Sequence, residues 1–169
     1  MTLDPVFRSK EAMNQMMEDG YLENLTDSLE CHRETIRHIR DLMPNIIEEV
    51  YLIPGYLDDN NLVFLQNHFF LILFHSIFKV VGCSERSLRF YSRVNFCIKG
   101  IVTAGDNIFD DETKDLIALD VGNNGARFKS ILQLLCFDRL IYSVCDDEIR
   151  DGWLTRKQVM MIQRIVGHF

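Results

Sequence analysis

At 169 residues, with 47% hydrophobic and 25% charged side chains, the chain holds enough apolar material for one globular core, which excludes a disordered or fibrous protein. Its formal net charge of −7, with Lys and Arg scattered rather than gathered in a stripe, excludes a nucleic-acid surface, which needs clustered positive charge against phosphate. Any anionic ligand would need local help from a cation.

Helical periodicity dominates, without the sustained alternation of a sheet, so the expectation is an all-α bundle of about six helices in a single domain, 1–169. Asp4-Pro5 can start a first helix that runs to about Asp19 and stops at Gly20. Thr26 or Asp27 can cap a second, which runs to about Asp41, is interrupted near Pro44 and ends by Pro54-Gly55. The third helix, 62–81, is the most apolar and should stop at Gly82. Its Gln66, Asn67, His68, His75, Ser76 and Lys79 make it a buried bundle helix rather than a transmembrane span. Ser84 should cap a fourth helix over 85–112. The Gly122-Asn123-Asn124-Gly125 turn precedes a fifth, 126–145, and a sixth begins at Thr155.

The five cysteines are odd in number and lack Cys-x-x-Cys spacing, which reads as buried thiols of a reducing compartment. Residues 1–19 are charged and lack the apolar centre of a signal peptide, so cytoplasm is the expected location.

The most informative segment is Gly-Asp-Asn-Ile-Phe-Asp-Asp-Glu-Thr, which starts at Gly105 and puts Asp106, Asp110, Asp111 and Glu112 at the end of the fourth helix. Residues four apart share a helix face, so Asp106 and Asp110 can converge on one cation, with Asn107 and Asp111 as the adjacent pair. Carboxylates at a helix C-terminus also meet the negative end of the macrodipole, so a cation would offset an unfavourable cluster. On a helical wheel, Ile98, Ile101, Val102 and Phe109 group on one side. Continuing the acidic face backwards gives Thr103, Gly100, Lys99 and Phe96. Small residues above an aromatic describe an apolar pocket beneath an acidic rim. The same residues also fit a solvated helix end whose glycines serve helix packing.

Asp106-Asn107-Ile108-Phe109-Asp110 resembles the first aspartate-rich motif, Asp-Asp-x-x-Asp, of the class I isoprenoid synthases, the all-helical superfamily of prenyl diphosphate synthases, squalene and phytoene synthases and terpene cyclases. The resemblance covers about 62–145 and implies half of such a bundle. It further implies Mg²⁺ held by Asp106 and Asp110, an allylic prenyl diphosphate gripped by the metal, and isoprenoid transferase or synthase chemistry by diphosphate ionisation. Lys99, Arg127 and Lys129 become candidate diphosphate donors, with Phe96 and Thr103 lining the tail pocket. Asn107 stands where the motif has its second acid. The superfamily's second metal motif has no counterpart in the sequence, so a homodimer or a missing C-terminal half is expected to complete the site. The alternative is a non-enzymatic helical interaction module with a solvated acidic helix end or a weak Ca²⁺ site.

Two further patterns compete for a role. Asp147 to Gln158 overlays an EF-hand loop but has Ile149 and Gln158 at ligand positions, so a helix–turn–helix joint with Gly152 as stop and Thr155 as cap explains it better. His68, His75 and Lys79 form one polar stripe on the third helix, readable as diphosphate donors or as satisfied bundle residues. Met13, Met16 and Met17 offer cover for a partner surface.

Overall fold

A computed structural model describes residues 23–45, 51–52, 61–110, 114, 116–118 and 125–166. Five α-helices run through them, so the all-α expectation holds. The expected helix before Gly20, the Met13–Met16–Met17 group and the Pro54-Gly55 stop lie outside the described residues.

Helix α1 (Glu23–Leu42) begins a turn earlier than its expected cap. Leu29, His32, Ile36, Ile39 and Met43 step by three and four residues, so one stripe is buried while Glu30, Glu34, Arg37 and Arg40 face outward; Arg33 is buried, its guanidinium 4.3 Å over the Phe64 ring. Pro44 cannot donate to the helical ladder, and the chain tightens there into a 3-10 turn, Met43–Asn45.

Helix α2 (Asn61–Val80) stops as Gly82 adopts φ 80, and the amides of Gly82 and Cys83 return to the carbonyls of Lys79 and Phe78, both at 3.1 Å. That paired closure needs a left-handed residue, which glycine supplies without steric cost. Helix α3 (Glu85–Phe109) opens with Ser84 accepting from the amide of Ser87 at 3.3 Å. It ends three residues short of expectation, with Asp110 as its cap.

Helix α4 (Ala126–Arg150) runs five residues past the expected end, because Glu148 is buried and bonded across the bundle. Its Oε2 accepts from Arg86 Nε at 3.0 Å and Nη2 at 2.8 Å, and Arg93 lies 3.6 Å from Oε1. Gly152, at φ 72, closes α4 as Gly82 closes α2. Thr155 then caps helix α5 (Arg156–Val166): its amide donates to Gln158 Oε1 at 2.9 Å, and its Oγ1 accepts from the amide of Gln158 at 3.3 Å. This reciprocal box is the joint expected there.

Helices α3 and α4 are an antiparallel pair: Arg86, at the start of α3, meets Glu148 near the end of α4, and Gly100 meets Phe137 midway. Helix α1 packs across α2 and α3. The core gathers Ile36, Ile39, Phe64, Ile72, Phe90, Phe96, Phe137 and Leu140, all at most 1% exposed. An antiparallel two-residue ladder, Tyr51–Leu52 against Ile117–Ala118, was not foreseen in the helical pattern. Among the described residues no helix is long and apolar enough to cross a membrane.

Candidate functional site

The acidic end of α3 is set by how that helix is rolled about its axis. Cys97, Gly100 and Ala104 are buried toward α4, and a Cβ added at Gly100 would lie 2.2 Å from Phe137 Cδ2. These small side chains let two backbones approach closely, so the face they occupy becomes the packing seam. Phe96 belongs to that seam: it is fully buried, edge-on to Phe137 with ring centroids 5.9 Å apart. Phe96 is therefore core, a correction to the expectation that it floors a pocket.

On the opposite side, which the wheel set apart as the apolar face, Val102 and Phe109 look outward while Ile98 is partly buried against the core. Val102 is exposed and Phe109 is 87% exposed. Together with Ile101, Leu134 and Gly105, these residues wall an open hollow of about 390 Å³ that has Asp106 on its rim. A second hollow of about 360 Å³, walled by Phe69, Phe70 and Phe74 of α2 with Asn95 and Lys99 of α3, adjoins it at Ile98, which lines both. The two form an apolar trough along α3, with the α2 aromatics lining one part and Asp106 the other. Ile98, Val102, Phe109 and Leu134 acquire a candidate role that the sequence reading missed. Its one available signal was that Asp106 stands one turn from Val102.

Asp106 and Asp110 are both exposed, and the Asp110 amide donates to the Asp106 carbonyl at 2.8 Å, so they occupy consecutive turns at the very end of the helix. Asn107 points inward and is 3% exposed. Its Nδ2 donates to the Lys114 carbonyl at 2.8 Å and its Oδ1 accepts from the Lys114 amide at 2.9 Å. The side chain thus pins the following loop to the helix instead of facing Asp106. Asp111 lies outside the described residues.

Lys99 stands seven residues before Asp106, about 10 Å along the axis at 1.5 Å per residue. It lines the second hollow, where burial holds its ammonium below the usual lysine value. Thr103 is half-buried on the flank between them. Arg127 and Lys129 fall in the first turn of α4, which the antiparallel pairing brings to the end of the bundle where α3 finishes. The positive end of the α4 dipole thereby lies at the end of the bundle where α3 concentrates negative charge, with Arg127 and Lys129, two residues apart, on different faces of that first turn.

The polar stripe of α2 serves α1. His75 Nδ1 meets Ser28 Oγ at 2.9 Å, Ser28 meets Ser76 at 3.0 Å, and Lys79 is ion-paired with Asp27. His68 is buried against His32, with ring centroids 4.8 Å apart. These residues join helices instead of lining the trough.

Among the described residues no three His, Cys, Asp or Glu side chains converge on a common metal position. The donor set at the rim is the carboxylate pair Asp106 and Asp110. Two hard oxygen donors do not make a protein cage, but they suit Mg²⁺, which commonly takes one or two carboxylates and completes its shell with water and substrate phosphate. Compared with family models, with curated proteins and with solved structures, the chain shows no match to any.

Proposed function

We propose that this chain is a half-bundle of the class I isoprenoid synthase type that binds a prenyl diphosphate through Mg²⁺ and takes part in transferase or synthase chemistry. The observation that carries the reading is the apolar trough along the outer face of α3, with Asp106 at its mouth. An amphiphile with an anionic head and a hydrocarbon tail matches that division, the head beside metal and carboxylates and the tail against Ile98, Val102 and the α2 aromatics. Bound Mg²⁺ would neutralise the diphosphate and assist its departure. Asp106 and Asp110 would hold the metal, Arg127 and Lys129 would approach the diphosphate from α4, and Lys99 would meet an anionic group deeper in the trough. Asn107 would act indirectly, by fixing the loop after the metal-binding turn.

A two-carboxylate rim makes a specific demand: Mg²⁺ and the phosphate groups should bind together and neither should bind tightly alone. Calorimetric titration of pyrophosphate with and without Mg²⁺ tests this. Binding should require the metal and disappear in the Asp106→Asn, Asp110→Asn double variant. Undiminished binding in that variant would rule out the assignment.

A second reading, a non-enzymatic helical interaction module, is favoured by the exposed apolar face of α2. Under it, Mg²⁺ with pyrophosphate leaves the melting temperature unchanged.

A further inference from the structure

Helix α2 presents one face that no other helix among the described residues covers. Phe70, Leu73, Ile77 and Val80 step along it by three, four and three residues, and Phe69 and Phe74 flank them. All six are at least 41% exposed, rising to 73% at Phe70 and 77% at Val80. Val81, just past the helix end, adds to the same strip. An uninterrupted run of apolar residues at this spacing is the pattern of a helix seam that packs against another helix. A solvent face would carry charges instead.

We infer that this face is where a second copy of the chain docks, α2 against α2 about a two-fold axis. Three observations select that occupant. The first is size. At roughly 200 Å² for a fully exposed large side chain, the seven exposures amount to about 800 Å² of apolar surface, which is what each partner contributes to a standard stable interface.

The second is charge. A two-fold contact sets the face against a copy of itself, so charges of one sign on it would meet their like and oppose association. None of the seven residues is charged, and the nearby Lys79 is already paired with Asp27. The third is the net charge of −7, which disfavours an anionic membrane, since membrane-lying helices usually add basic residues beside the apolar ones. Phe69, Phe70 and Phe74 also wall the second hollow, so the partner copy would roof that part of the trough. The inference rests on the α2 face alone and stands whether or not the rim binds Mg²⁺ and diphosphate.

Sedimentation velocity over about 1–100 μM, with neutral phosphatidylcholine vesicles as a separate flotation arm, provides the test. The chain should sediment as a dimer. Phe70→Glu with Ile77→Glu should weaken association at least 100-fold while the helical circular dichroism is retained, since both residues are solvent-facing. Met161→Glu, on the exposed side of α5, should leave the dimer intact and serves as the control. The inference is overturned by a monomer at 100 μM, by a dimer indifferent to the Phe70 and Ile77 changes, or by flotation of the monomer with vesicles.

Discussion

Gly100 and Gly105 lie on the same helix and answer opposite demands. Gly100 has no room for a Cβ, because Phe137 is fully buried and held against Phe96, so its ring cannot swing aside cheaply. Gly100→Ala should lower stability by about 1–2 kcal/mol, the overpacking cost less the gain in helix propensity. Gly105 meets nothing within 4 Å of an added Cβ, so Gly105→Ala should raise stability by up to about 1 kcal/mol. Urea unfolding of the two variants checks the pair, and equal signs would mean that α3 is rolled differently from the arrangement described. Asn107 makes a related point. Its amide both gives and takes a hydrogen bond at Lys114, a task that an aspartate, which cannot donate, fails at one end. Asn107→Asp should therefore cost about 1 kcal/mol, measurable in the same titration. The departure from the Asp-Asp-x-x-Asp pattern thus has a structural account at that position.

Among the elements, the clasp between α3 and α4 depends on Glu148. Truncating it leaves Arg93 half-buried without its carboxylate, while Arg86, 43% exposed, keeps water and Asp151 at 3.1 Å. Glu148→Ala should accordingly cost about 2 kcal/mol, less than the full penalty of breaking a wholly buried pair. It should appear as a lower urea midpoint, with faster hydrogen exchange at the C-terminal turns of α4. What was legible at this scale was punctuation. Ser84, Gly82, Gly152 and Thr155 act where local chemistry places them, because a cap or a left-handed glycine is fixed by its immediate neighbours. The facing of α3 was not legible. Both of its sides carry apolar residues, and a wheel orders faces without saying which one meets a neighbour. Closest approach decided the matter, turning Cys97, Gly100 and Ala104 inward and leaving the larger Val102 and Phe109 outside. The acidic motif was visible as a rim, whereas the trough beneath it depends on Leu134 and the α2 aromatics, which only tertiary packing brings alongside.

For the molecule as a whole, the stability profile against pH follows from groups kept uncharged inside it. Burial holds His32 well below its usual 6.5, and the neighbouring His68, Lys99 and His75 push it in the same direction. His75 and His38 are also lowered, in each case mainly by burial. A depressed imidazole stays neutral in the folded chain while the unfolded chain takes up a proton. Its stabilisation is therefore complete above about pH 6.5 and is lost as the pH falls below that value, at up to about 1.4 kcal/mol per pH unit per group. Asp27, lowered by its bond to Lys79, titrates below 3.8. On the alkaline side, burial raises Cys31, Cys136 and Cys145 to about 11, and Cys97 further, against an ordinary value of 9.0. The unfolded chain loses those protons first, so stability should fall again above about pH 9. Urea midpoints should thus peak at about pH 7–8.5 and drop on both sides. Replacing His32 with Leu should flatten the acid limb specifically, since it removes a strongly depressed imidazole and leaves the thiols untouched. An acid limb of unchanged steepness in that variant would show that His32 is not a principal source of the proton linkage.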